Sequence, residues 1–206
     1  MVIDVLNEQQ KEILPKLADA LTGTDLYLAG GTALALQVGH RPSIDFDWFG
    51  DKIGDPEILF RRLRGANLDF IILTSTFETL YLEVETVQVS FIGYSYPMLN
   101  PLCQLDEYGI QMAGLDDIAC MKLSAVTNRG ARKDFIDLHY LVSHHRPLEE
   151  YLQLFQKKFQ QQDVGHVIRS LAYFEDADQE PEISMFTDIP WIHMKNDFEL
   201  WVQAVG

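Results

Sequence analysis

The stretch Leu26–Phe49 constrains this chain more than any other, because it sets two aspartates on one side of a strand just after a glycine pair. The apolar run Leu26–Ala29 suits a buried strand, and Gly30-Gly31 breaks it. Thr32 stands where a helix cap would, ahead of Ala33, Leu34, Leu36 and Val38, with Gly39 as the natural stop. The predicted unit is therefore strand, glycine turn, short helix, strand.

In the second strand, Arg41, Ser43, Asp45 and Asp47 alternate with Pro42, Ile44, Phe46 and Trp48. Period-two geometry puts the first set on one face and the second on the other. Like charges side by side repel, and a divalent cation between them turns repulsion into attraction. The glycine turn brings backbone N–H groups and a helix N-terminus, which suit a phosphate chain. Each half has a plainer reading: Gly-Gly is a common turn, and Asp-x-Asp can be a solvated face or an arginine partner. Joined in one short unit, they point to a nucleotide and a metal ion.

The run Gly30-Gly31-Thr32 … Arg41-Pro42-Ser43-Ile44-Asp45-Phe46-Asp47 resembles the first motif of the polymerase-β-like nucleotidyltransferases. More narrowly, the chain is similar to the AbiEii/AbiGii toxin-type (DUF1814) nucleotidyltransferases. Leu115-Asp116-Asp117-Ile118-Ala119, Lys122, Arg129-Gly130 and Lys133-Asp134-Phe135-Ile136-Asp137-Leu138 continue the similarity over nearly the whole chain. The resemblance implies an α/β (α+β) fold: a nucleotidyltransferase core with a mixed sheet over residues 1–146, then a helical C-terminal bundle over 147–206.

Size and composition agree with a folded chain. Its 206 residues can bury a core, and 47% hydrophobic content places it among globular proteins. There is no apolar run long enough for a membrane span, and the first residues lack the pattern of a signal peptide. Cys103 and Cys120 have neither metal nor redox spacing, so the expected setting is a reducing cytoplasm. A net charge of −15 disfavours general duplex binding. Locally, Lys122, Arg129, Arg132, Lys133 and Arg146 outnumber Asp134 and Asp137, a small basic patch that fits a nucleotide or an RNA end.

Elsewhere the pattern is mostly scaffold. A helix is expected over Asn7–Leu21, bent at Pro15, and another from Asp55-Pro56 to a stop at Gly65. Strands follow at Leu68–Thr74, Thr79–Val84 and Val87–Ile92, the last two joined near Glu85-Thr86. Tyr94–Asp106 reads as a long loop and Tyr108–Ala113 as a strand. Helices are expected from Asp116 to Asn128, over Arg132–His144 and through most of the remainder, with Glu175–Pro181 a loop and Trp191–Val205 a last helix. His139, His144 and His145 lack ligand spacing and read as helix-end residues.

By resemblance, Asp45 and Asp47 would hold Mg²⁺ (or Mn²⁺) and, with Lys122, Asp134 and Asp137, carry catalysis. Gly30, Gly31, Thr32, Arg41, Ser43, Lys122 and Arg129 would bind the NTP. Lys122 would neutralise triphosphate oxygens; Asp134 or Asp137 would hold the acceptor hydroxyl or orient Lys122 and Arg129. Lys122 and Asp134 can equally be a helix–helix ion pair. A third carboxylate usual in such enzymes falls at Ser90 here, and neither Glu83 nor Glu85 is placed by the pattern to replace it. The expected reaction moves an NMP to an acceptor hydroxyl, on RNA or a tRNA 3′ end, in a toxin–antitoxin or phage-defence setting with a cognate antitoxin. The rivals are transfer to an antibiotic-type small molecule and a nucleotide-binding module that has lost turnover.

Overall fold

Alternating apolar and polar residues organise the first half of the chain around a central strand pair. The computed structural model describes residues 2–186 and 188–206, which fall into two compact units. Unit 1 runs to Tyr96 and resumes over Pro101–Ala113; unit 2 takes Pro97–Asn100 and Gly114–Gly206.

Unit 1 begins with a short 3₁₀ turn, Ile3–Val5, and helix α1, Glu8–Leu21. A reciprocal cap opens α1: Gln10 N–H donates to Asn7 Oδ1 and Asn7 N–H to Gln10 Oε1. Pro15 lies inside α1 without ending it. Then come β1 (Tyr27–Ala29), α2 (Gly30–Val38), β2 (Asp45–Gly50) and α3 (Pro56–Gly65). Strands β3 (Phe70–Ser75), β4 (Thr79–Val84), β5 (Val87–Gly93), β6 (Cys103–Leu105) and β7 (Ile110–Met112) complete a mixed sheet in the order β3-β4-β5-β2-β1-β7-β6. Pairing is parallel for β2 with β5 and β1 with β7, and antiparallel elsewhere.

Register explains the layering. Phe46 and Trp48 lie opposite Val89 and Phe91, which lie opposite Leu82 and Leu80; all six are buried. Period two puts Asp45, Asp47, Gln88, Ser90, Tyr81 and Glu83 on the other face. There Gln88 and Tyr81 are exposed, Asp45, Asp47 and Glu83 are half-buried and Ser90 is buried, so one face is core and the other is open only in part. The β4–β5 turn has Glu85 and Thr86 both at positive φ (48° and 74°), the type I′ geometry whose twist matches a tight hairpin.

In unit 2 the helices are α4 (Leu115–Asn128), α5 (Arg132–His144), α6 (Leu148–Phe159), α7 (Gly165–Leu171), α8 (Glu175–Gln179) and α9 (Trp191–Val205). Helix α4 packs against α5, α6 and α7. Phe135, Phe174, Trp191 and Phe198 interlock edge to face and tilted within this unit. Lys158 and Asp117, both fully buried, pair at 2.6 Å. Lys158 also donates to the Pro97 carbonyl, while Asp117 accepts the Leu99 and Asn100 amides. Those bonds assign Pro97–Asn100 to the helical unit.

Several expectations need correction. Gly30 and Gly31 are the first residues of α2 with Ala29 at the N-cap, so Thr32 is inside the first turn and is not the cap. Helix α3 does stop at Gly65, although the left-handed residue after its Ala66 C-cap is Asn67, at φ 55°. Ile44 precedes β2 and is exposed, so the apolar face begins at Phe46. The loop expected over Tyr94–Asp106 contains β6, three residues being too few to show alternation. Glu175–Gln179 forms the short helix α8 within a segment whose acids and proline suggested a loop. Helix α4, which packs with α5, α6 and α7, belongs to the compact unit that takes Gly114–Gly206.

Candidate active site

Within unit 1, the candidate residues begin where β1 becomes α2. Ala29 lies opposite Asp47 in register, and the chain turns through Gly30 at φ 68° directly beside that carboxylate. A β-carbon built on Gly30 would stand 2.6 Å from Asp47 Oδ2. Glycine is required twice over, by the left-handed backbone and by the close approach. The amides of Gly31 and Thr32 lie in the first turn of this nine-residue helix, where backbone N–H groups have no intrahelical acceptor.

Hydroxyls fix both aspartates. Thr32 Oγ1 donates to the backbone carbonyl of Asp45 and lies 2.6 Å from Ser43 Oγ. Ser43 Oγ also lies 3.4 Å from Asp45 Oδ1. On the neighbouring strand, Ser90 stands opposite Asp47 and donates to its Oδ1 at 2.5 Å. Thr32, Ser43 and Ser90 are all buried, as is Arg41, whose Nη1 donates to the Pro42 carbonyl. The Thr32 and Ser43 hydroxyls thus brace Asp45 within the fold; an Asp-x-Asp pattern alone does not reveal that bracing. Glu83 shares the open face but lies two strands from Asp45, through Gln88.

This donor set suits a hard cation. Mg²⁺ takes oxygen ligands and is usually held by one or two carboxylates together with waters and substrate phosphates. Asp45 and Asp47 supply such a pair. Among the described residues there is no cluster of three His, Cys, Asp or Glu side chains suited to a metal ion.

The unit 2 candidates form a charge cluster in which Lys122, Asp134 and Asp137 are buried and Arg129 is exposed. Lys122 Nζ lies 2.8 Å from Asp134 Oδ1 and 2.6 Å from Asp137 Oδ2. Arg129 forks onto Asp134, Nε to Oδ2 at 2.7 Å and Nη2 to Oδ1 at 3.0 Å. Burial pushes the Asp134 carboxyl up, but Lys122 and Arg129 outweigh it and hold the group below the usual carboxylate range. Lys122, Arg129, Asp134 and Asp137 thus meet in one cluster of opposite charges. Arg129 also lines a cavity of about 450 Å³ within unit 2, with His166, Arg169, Ser170, Tyr173 and Asp176. These α7–α8 residues escaped the sequence reading because they are scattered through a segment whose apolar stripe dominates.

His139 meets Asp197 at 2.8 Å within an aromatic setting of Phe198 and Trp201. Cys120 is buried and its thiol is pushed up to about 12 by that burial. No helix among the described residues is long and apolar enough to cross a membrane.

Known structures share this architecture. JHP933 from Helicobacter pylori superposes with a TM-score of 0.61 at 20% identity, over 97% of this chain and 93% of that one. MenT4, a nucleotidyltransferase toxin from Mycobacterium tuberculosis H37Rv, gives 0.60 at 14% identity, over 91% and 84%. The fold is thus that of a nucleotidyltransferase. An uncharacterised protein of Aquifex aeolicus (strain VF5) is 38% identical over 178 residues, 85% of this chain and 86% of that protein. Residues 12–201 match the family described as nucleotidyl transferase AbiEii toxin, type IV toxin–antitoxin system, and the chain belongs to that family of nucleotidyltransferases.

Proposed function

We propose that this nucleotidyltransferase moves an NMP from an NTP to a hydroxyl of an RNA acceptor, such as a tRNA 3′ end, and that it requires a divalent cation. The observation that carries the reading is the approach of Gly30 to Asp47, which sets a helix N-terminus beside a braced carboxylate pair.

In this reading the acceptor oxygen attacks the α-phosphorus, a new P–O bond forms, and pyrophosphate leaves in line. The N–H groups of Gly31 and Thr32 offset phosphate charge. Thr32 and Ser43 hold Asp45, and Ser90 holds Asp47, so neither carboxylate must reorganise. When bound at Asp45 and Asp47, Mg²⁺ or Mn²⁺ supplies Lewis-acid polarisation and lowers the pKa of the acceptor hydroxyl. Lys122 and Arg129 are proposed to balance triphosphate charge, with Asp134 and Asp137 orienting them. Arg41 and Ser43 are proposed to support the nucleotide site from within. The catalytic region on this reading is residues 1–146, followed by a helical bundle over 147–206. The setting is that of a toxin with a cognate antitoxin, acting in the cytoplasm.

Incubation with each labelled NTP and total cellular RNA, with and without Mg²⁺, tests the proposal. Label should enter RNA only with cation present, and Asp45→Asn or Asp47→Asn should abolish it. Label entering only a small-molecule acceptor, or full activity in either variant, overturns the reading.

A further inference from the structure

The open sheet face does not end at the carboxylates. Asp47 lies opposite Ser90 on β5, and Ser90 lies opposite Tyr81 on β4, so the three side chains form one row on one face. Tyr81 is 45% exposed, and Gln88, in the adjacent row beside Asp45, is exposed as well. Ile71 on β3, opposite Glu83, shares this face and is 62% exposed.

We infer that Tyr81 is a stacking platform for a nucleobase, with Gln88 beside it to meet the base edge. The inference rests on the nucleotidyltransferase reading of Asp45 and Asp47 and extends it to recognition. Two strand spacings separate Tyr81 from Asp47, about 10 Å between backbones. That is on the scale of a nucleotide from its base through the sugar to its phosphate. A ring lying on Tyr81 therefore leaves its sugar hydroxyl or phosphate at the carboxylates, with buried Ser90 as a low floor between.

The local chemistry selects a ring over a phosphate. Glu83 on the same face disfavours an anion, while Tyr81 and Ile71 offer apolar area and Gln88 offers one acceptor and two donors. Aromatic stacking is tolerant of base identity, as every base has a π-face. Two sources can supply that base, the NTP and the acceptor strand.

The test measures binding of ATP and UTP by calorimetry in Mg²⁺, and of fluorescein-labelled rA3 and rU3 by anisotropy. Wild type is compared with Tyr81→Phe, Tyr81→Leu and Tyr81→Ala, each checked for an unchanged melting midpoint. Tyr81→Leu and Tyr81→Ala should weaken binding roughly tenfold or more, and Tyr81→Phe by less than about twofold. Loss confined to ATP and UTP places the NTP base on Tyr81; loss confined to the trinucleotides places the acceptor base there. Unchanged binding in Tyr81→Leu and Tyr81→Ala overturns the inference, as does an equal loss in Tyr81→Phe or a wild type that binds none of the four probes. Pyrophosphate release is followed in parallel. Nucleotide binding that depends on the Tyr81 ring without any release would reject transfer and keep the platform.

Discussion

Ser90 donates its hydroxyl proton to Asp47 across the parallel β2–β5 pair, with Oγ 2.5 Å from Oδ1. The position at which the resemblance to polymerase-β-like nucleotidyltransferases implies a third carboxylate holds a donor to the second one. Ser90→Ala removes that donor and should cost about 10- to 100-fold in cation affinity or activity, as outer partners of ligating carboxylates do. Ser90→Asp sets a third negative charge against Asp47. Its melting midpoint should fall below wild type without Mg²⁺ and recover when Mg²⁺ is added, which thermal scans at graded Mg²⁺ would record.

Gly30→Ala should be damaging out of proportion to one methyl group. The substituted residue must hold φ 68° and place Cβ 2.6 Å from Asp47 Oδ2. Left-handed strain in a non-glycine residue costs about 1–3 kcal/mol, measurable by urea denaturation. Displacement of Asp47 should also remove transfer activity at temperatures where the variant remains folded.

Lys122→Met leaves Asp134 and Asp137 without their shared cation, and we expect about 3–5 kcal/mol of destabilisation. Activity loss in that variant alone would be ambiguous. The triple variant Lys122→Met, Asp134→Asn, Asp137→Asn removes charge of both signs and should recover much of the stability in denaturant melts. Transfer that stays absent in the refolded triple variant marks a chemical role; transfer that returns marks a purely structural one.

The same cluster sets a pH dependence. Asp134 is depressed in the folded chain, so its contribution to stability is complete above the ordinary carboxylate pKa of about 3.9 and is lost as pH falls through the lower folded value. Asp116 is also lowered: burial raises it, and hydrogen bonds from Arg146 and Asn100 more than offset that. Denaturant midpoints should therefore be nearly flat from pH 7 to about pH 5 and fall steeply below pH 4. Asp134→Asn should start lower and fall less.

Within unit 1, the arrangement that is local in sequence was legible from the residues alone. Gly30-Gly31 and Asp45/Asp47 lie within one strand–helix–strand unit, and Phe46 and Trp48 marked its buried face because a period of two is short enough to see. Long-range pairing was harder. That Ser90 faces Asp47 depends on β5 running parallel to β2, and that Tyr81 joins the row depends on the β4–β5 register. The Lys122–Asp134 ion pair was legible as an alternative because helical spacing places Lys122 and Arg129 on one face, and both indeed reach Asp134. The Asp117–Lys158 pair was not, since 41 residues separate the partners and nothing in either neighbourhood names the other.

That buried pair holds four residues, Pro97–Asn100, in the helical unit although the chain on both sides of them belongs to the sheet unit. The backbone consequently passes between units at Tyr96/Pro97, Asn100/Pro101 and Ala113/Gly114. A fragment ending at Ala113 would carry the Leu99 and Asn100 amides away from their acceptor. No single cut of the backbone therefore yields both compact units whole.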